Sequence, residues 1–168
     1  MKFFTPVLPK AIQERVEIPR GDQALAAAQA RDGRWLIGTR GRLFIVATQV
    51  RELGWDQIED ASWNGESGVL SIRLLAPFGE PIEAIRFELE DSARLLQLVR
   101  ERISASIIVQ RRAEISPGLG FRVLGRRNPV GGPLAWMTVF DEGVDPESPQ
   151  VKAAVEEALR VAQHELGQ

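Results

Sequence analysis

The sequence predicts an α+β protein, mainly β, in which short antiparallel strands are twice followed by a closing helix. Three observations predict it. Apolar and polar residues alternate through much of residues 24–140, the period-2 pattern of strands with one buried face. Turn formers break that pattern at short intervals, as in Asp32-Gly33, Asn64-Gly65, Pro117-Gly118 and Gly131-Gly132. Helical spacing of apolar residues appears after Asp91 and again after Ser148.

Residues 1–21 read as an extended N-terminal arm. Pro6, Pro9 and Pro19 disfavour helix just before them, leaving room for a helical turn at 11–17. Phe3, Phe4, Val7, Leu8 and Ile12 are expected to pack the arm on the body of the protein. Strands then flank Asp32-Gly33, a dipeptide suited to a two-residue type I′ hairpin turn. They run over 24–31 and 34–40. Leu43–Thr48 is a continuous β-branched and aromatic run, which suits a central, well-buried strand. Trp55–Trp63, Val69–Leu75 and Ile82–Leu89 follow as strands, the last with Ile85, Phe87 and Leu89 inward. Asp91 is placed to cap a helix reaching Ile103, with Leu95, Leu96, Val99 and Ile103 as its apolar stripe.

A β-β-β-α extension is expected over 106–168, packed on the preceding strands. Its strands are Ser106–Ile115, Phe121–Arg127 and Leu134–Phe140. Ser148 caps its helix with Pro149 in the first position. Val151, Ala154, Val155, Ala158, Leu159, Ala162 and Leu166 form a narrow apolar seam.

Composition narrows the function classes. With 168 residues the chain is long enough to bury a core without staples. It has no Cys, no Tyr and one His, so disulfides, thiolate metal sites and cysteine nucleophiles are excluded. A net charge of −2 exerts no general pull on nucleic acid or anionic lipid. No run of about 18 apolar residues suggests a membrane span, and prolines interrupt the apolar start of the chain. The expected location is cytoplasmic. Lys2, Lys10 and Lys152 are the only lysines, an arginine bias that fits a GC-rich bacterial genome.

At residues 22–105 the strand order resembles a known family. The runs LAAAQARDGRWLIGTRGRLFIV, LGWDQIEDASW, GVLSIRL and RFELEDSARLLQLVRERI look like the uncharacterised pleckstrin-homology-like (PH-like) proteins common in actinobacteria. The resemblance implies a PH-like antiparallel barrel of seven strands in two near-orthogonal sheets, capped by a helix. It also implies a binding module, not an enzyme. Two features depart from the family. The helix at 91–104 has no Trp, and only arginines (Arg31, Arg34, Arg40, Arg42) lie near the first hairpin. Both count against phosphoinositide binding.

The chemistry-bearing residues are few. His164, near the end of the last helix, reads as an exposed residue favoured there by the helix dipole. Asp141, Glu142, Asp145 and Glu147 lack the alternating spacing of a calcium loop. The glycines at 118–120 and 131–132 sit between strands with no Gly-Lys-Ser/Thr, so they read as turn residues. No cofactor, metal or catalytic residue is expected.

The candidate site is instead a charge asymmetry. Arg111, Arg112, Arg122, Arg126 and Arg127 face only Glu114 within residues 106–128, whereas residues 141–168 carry seven carboxylates against Lys152 and Arg160. Either the two segments neutralise one another, or the arginines form an anion or partner patch. Trp35, Trp55, Trp63 and Trp136 are core residues unless two lie exposed together. The leading expectation is a non-catalytic binding or scaffolding module for a protein or peptide. A small-molecule or anion-binding domain built on the five arginines is the alternative, and a small enzyme the third. Nucleic acid is not an expected partner. Leu134–Phe140 would permit a homo-oligomer if it lies at a sheet edge.

Overall fold

The computed structural model describes residues 5–77 and 79–167. The chain divides into two units. The first runs through residue 106 and also takes in 128–131; the second holds 107–127 and the chain from 132 onward. The architecture is mainly β, with three antiparallel sheets and a C-terminal helix.

The first unit opens with α1 (Lys10–Gln13), shorter than the predicted turn and preceded by Pro9. The Gln13 side-chain amide donates to the Leu8 carbonyl at 2.7 Å. Leu8, Ile12, Val16 and Ile18 cluster with Ile37, Phe44 and Val46, so the arm packs on a sheet as expected. Val7 does not join it and is 90% exposed. Phe3 and Phe4 lie outside the described residues.

That sheet is a meander of β1 (Ala26–Gln29), β2 (Trp35–Gly38), β3 (Arg42–Val46) and β4 (Val50–Gly54). In β3, Phe44 and Val46 meet the arm. Leu43 and Ile45 face a larger core. Covering both faces explains the uninterrupted apolar run. β4 was not predicted, because only Leu53 of its five residues is buried.

The β1–β2 turn differs from the type I′ expectation. Only Gly33 has positive φ (91°), while Asp32 does not. Gly33 N–H donates to the Ala30 carbonyl at 2.9 Å and Ala30 N–H to the Arg34 carbonyl at 2.8 Å. This is a three-residue loop with Gly in the left-handed position. Asp32 serves from its side chain, accepting the Arg34 N–H at 3.1 Å.

A 3₁₀ turn at Trp55–Gln57 replaces the predicted start of the next strand. The second sheet then follows as β5 (Ile58–Asn64), β6 (Val69–Leu74) and β7 (Ala84–Glu88), in that order. The β5–β6 turn is held by Asn64 Oδ1, which accepts from Glu66 and Ser67 N–H at 3.0 Å each. One backbone bridge, Ala30 to Leu89, links the two sheets at a corner.

α2 (Ala93–Ser106) begins later than predicted. Asp91 is not its cap: it sits at φ 44°, and Leu96 N–H bonds the Ser92 carbonyl at 2.9 Å. The helix buries Leu95, Leu98, Val99 and Ile103; Leu98 was absent from the predicted stripe. It seats closely because β2 ends in Gly38, where a Cβ would stand 2.5 Å from Leu98 Cδ2. Together α2, both sheets and Trp55 enclose one hydrophobic core.

The second unit holds β8 (Ile107–Ser116), β9 (Leu119–Arg126), β10 (Ala135–Phe140) and α3 (Pro149–Glu165). β9 is the central strand. Val109, Ala113, Phe121, Val123, Trp136 and Phe140 share one face and pack with Ala154, Val155, Ala158, Leu159 and Ala162 of α3. Ser148 occupies the N-cap position, but its side chain makes no capping bond. Leu166, predicted as the last residue of the seam, instead falls past the helix and is exposed. Among the described residues, no helix is long and apolar enough to cross a membrane.

Candidate partner-binding site

The open flank of the first unit is set by Trp55. Its side chain is fully buried, and its indole N–H donates to the Thr39 carbonyl at 3.0 Å. The 3₁₀ turn around it closes through Gln57 Oε1, which accepts the Gly54 N–H at 2.7 Å. Gly54 leaves room there for the Asp56 side chain: a Cβ would stand 2.6 Å from Asp56 Oδ1 and push it aside. The chain therefore leaves the core in a fixed direction and becomes β5.

β5 pairs with β6 along one side only, among the described residues. α2 packs against β5 and against the 3₁₀ turn. Ala61 and Trp63 stand opposite Ile72 and Leu70 on the core-facing side. Ala61 is half-buried, whereas Trp63 at the strand end is 37% exposed. Asp60, Ser62 and Asn64 are exposed. An end strand of a sheet can accept an added strand, main-chain hydrogen bonds giving affinity and alternate side chains giving specificity.

Just before β5 lies a polar cavity of about 310 Å³, lined by Arg42, Glu52, Gly54, Asp56, Gln57 and Asn128. Arg42 and Glu52 pair at 2.6 Å. Asn128 Nδ2 donates to the Gly41 carbonyl at 2.7 Å and to Asp56 Oδ1 at 3.2 Å. Its Oδ1 accepts the Val130 N–H at 3.1 Å. The walls are thus held by their own hydrogen bonds and mix both charge signs. Of these residues only Arg42 stood out in the sequence, as one of the arginines near the first hairpin. Asn128 falls between the predicted strands, and its partners lie 72 and 87 residues away.

The five arginines of the second unit do not all share one face of the sheet. Arg111, on the helix-facing side of β8, pairs with Glu165 of α3, Nε donating to Oε2 at 2.8 Å. Arg112 faces the other way and grips Asp141 with two nitrogens, at 2.7 and 3.3 Å. Arg122 stands opposite Arg112 in the β8–β9 register. Arg126 is buried, 1% exposed. Arg127 lies just past β9, with its Nε buried and without a hydrogen-bond partner. For Arg111 and Arg112, the acidic segment does neutralise the basic hairpin. The Arg112 guanidinium, then the Gly120 N–H, hold the Asp141 carboxyl below the usual range, with Arg122 adding a smaller pull.

The other candidates are quickly placed. Trp35 and Trp136 are half-buried and Trp55 is core. His164 is exposed in the last turn of α3. Near the first hairpin, Arg31 pairs with Glu90 and Arg34 with Asp32, at 2.9 and 2.7 Å. Arg40 lies 3.7 Å from Asp22, and Arg42 takes Glu52. Among the described residues, no cluster of three or more His, Cys, Asp or Glu forms a metal site. In comparisons with known proteins, no family model, no curated protein and no solved structure matches the chain.

Proposed function

We propose that the chain is a non-catalytic, cytoplasmic binding or scaffolding module whose first unit is a PH-like barrel. Its partner is an extended peptide segment that adds to β5 and lies in the groove beside α2. The observation that carries this reading is the open β5 edge with α2 packed alongside. The barrel assignment draws support from four strands, then three, then a helix, with the Ala30–Leu89 bridge between the sheets. Phosphoinositide headgroups fit less well, since Arg31, Arg34 and Arg42 are each engaged by a carboxylate of the same unit.

A second reading, an anion or small-molecule site on the Arg-rich hairpin, draws on Arg112 and Arg122 facing each other with one carboxylate between them. One experiment separates the two. Peptides selected from a random display library on the full chain are added, and amide hydrogen exchange is mapped. The proposal expects new protection at residues 58–64. Protection confined to 107–127, or stabilisation by inorganic polyphosphate with no peptide binding, overturns it in favour of the second reading.

A further inference from the structure

The charges around the polar cavity before β5 do not balance. Its charged side chains are Arg42, Glu52 and Asp56. Arg42 Nη1 donates to Glu52 Oε2 at 2.6 Å, and the two charges cancel. Asp56 is left over. Among the described residues its side chain meets Asn128 Nδ2, at 3.2 Å from Oδ1, and no cation.

Asp56 is not needed to hold the walls. The Gly54 N–H is taken by Gln57 Oε1 at 2.7 Å, so the 3₁₀ turn closes without the Asp56 carboxylate. Asn128 is fixed by the Gly41 carbonyl at 2.7 Å and by the Val130 N–H at 3.1 Å. The network therefore positions a carboxylate that it does not require. Gly54 makes the space for it. A Cβ there would stand 2.6 Å from Asp56 Oδ1, 3.2 Å from Asn128 Nδ2 and 3.5 Å from Gln57 Oε1. Three polar side chains of the cavity converge on the one wall residue that has no side chain of its own.

The open valences define what fits. Among the described residues, Asp56 Oδ2 and Glu52 Oε1 are acceptors without a donor, and Gln57 Nε2 and Arg42 Nη2 are donors without an acceptor. A half-buried carboxylate is costly until a charge or a set of donors meets it. An anion would be repelled. A calcium ion takes about six to eight oxygens, whereas this cavity offers two carboxylates, one of them tied to Arg42. Its volume of about 310 Å³ is at the small end for ligand sites. We propose that the cavity binds a small organic cation, an alkyl ammonium or guanidinium, with Asp56 as its counterion. Glu52 Oε1 is the second acceptor, and Gln57 donates to a polar group elsewhere on the ligand.

The test is a titration of the isotope-labelled full chain at low ionic strength, followed by backbone amide chemical shifts. Putrescine and agmatine are the probes; they share a butyl chain and separate ammonium from guanidinium. Butanediol, succinate and calcium chloride are the controls. At least one amine is expected to shift the amides of residues 52–57 and 128 saturably. Asp56→Asn keeps the side-chain shape and an oxygen for Asn128, and its spectrum reports whether the fold is native. It should weaken binding at least about tenfold. Arg42→Gln removes a like charge and should tighten binding several-fold. No shift from either amine in a folded wild type overturns the proposal. So does equal binding of butanediol or succinate, tighter binding of calcium at the same amides, or amine binding that Asp56→Asn leaves unchanged. The peptide reading is separate, because it is read at residues 58–64.

Discussion

The two long helices, α2 and α3, meet their sheets by opposite strategies. α2 drives large aliphatic side chains, Leu95, Leu98, Val99 and Ile103, into a core shared by two sheets and anchored by Trp55. α3 lays a seam of small residues, Ala154, Ala158 and Ala162, on a single sheet, where only Phe121, Val123 and Ala162 of the cluster are fully buried. Glycines extend the second strategy. A Cβ at Gly125 would stand 2.8 Å from Val109 Cγ1 and 3.2 Å from the Trp136 ring, and one at Gly120 would collide with the Ala113 carbonyl. The first unit is stabilised by volume and should fail when volume is removed. The second depends on close approach and should fail when atoms are added.

The largest effect should come from Trp55→Ala. It leaves a large cavity beneath α2 and strips the Thr39 carbonyl of its donor. A loss of about 3–5 kcal/mol is expected in urea unfolding. A loss below about 1 kcal/mol would show that the first core is not volume-limited. Next comes Gly120→Ala, which places a methyl group against backbone that cannot rotate away. The expected cost is about 3 kcal/mol, at the upper end for overpacking, with faster exchange at β8 and β9 amides. Equal tolerance of alanine at Gly120 and at Gly65, where a Cβ would meet only an ordinary contact 3.7 Å away, would remove the contrast between the units.

A smaller effect probes the first unit by pH. Asp22 accepts hydrogen bonds from Gln23, Arg40 and Gly41 N–H at 2.8, 3.1 and 3.2 Å. Burial pushes its carboxyl up, but the Thr39 hydroxyl and these backbone donors outweigh burial and hold it below the usual range. A carboxyl depressed in the folded state stabilises fully above its unfolded value. That contribution is lost as pH falls through the folded value. Stability measured by urea melts should therefore decline below about pH 4. Asp22→Asn should cost about 1 kcal/mol at neutral pH and flatten part of that decline. An unchanged acid slope would show that Asp22 is not a contributor. The smallest effect belongs to Arg111→Gln, an exposed pair with Glu165 expected to be worth less than about 1 kcal/mol in thermal melts and to fade in high salt.

Much of this contrast was legible locally. Alternation located β6 and β7, with Leu70, Ile72 and Phe87 inward, and a continuous β-branched and aromatic run marked β3 as a well-buried strand. Pro149 and the small-residue seam located α3. What failed were features decided by distant partners. β4 has a polar sequence, and its place is fixed by pairing with β3. The 3₁₀ turn depends on where Trp55 is buried. Leu98 joins the α2 stripe because Gly38 lies beneath it. The five arginines looked like one patch in the sequence, yet strand alternation sends Arg111 and Arg112 to opposite faces. The cavity at Asp56 was invisible because Asn128 is 72 residues away. Strand order is non-local too: composition showed that Leu134–Phe140 was uncharged, and only the sheet order placed β10 at the end of its sheet, beside β9.

The Asn128 side chain has a consequence for how the chain is made. The hydrogen bond from its amide to the Gly41 carbonyl spans 87 residues and belongs to the first unit. On a ribosome, every strand of that unit and α2 emerge before it can form, and β8 and β9 must be synthesised in between. The first unit is therefore finished from downstream, and a nascent chain released after residue 106 would hold Gly41 and Asp56 without the amide that joins them.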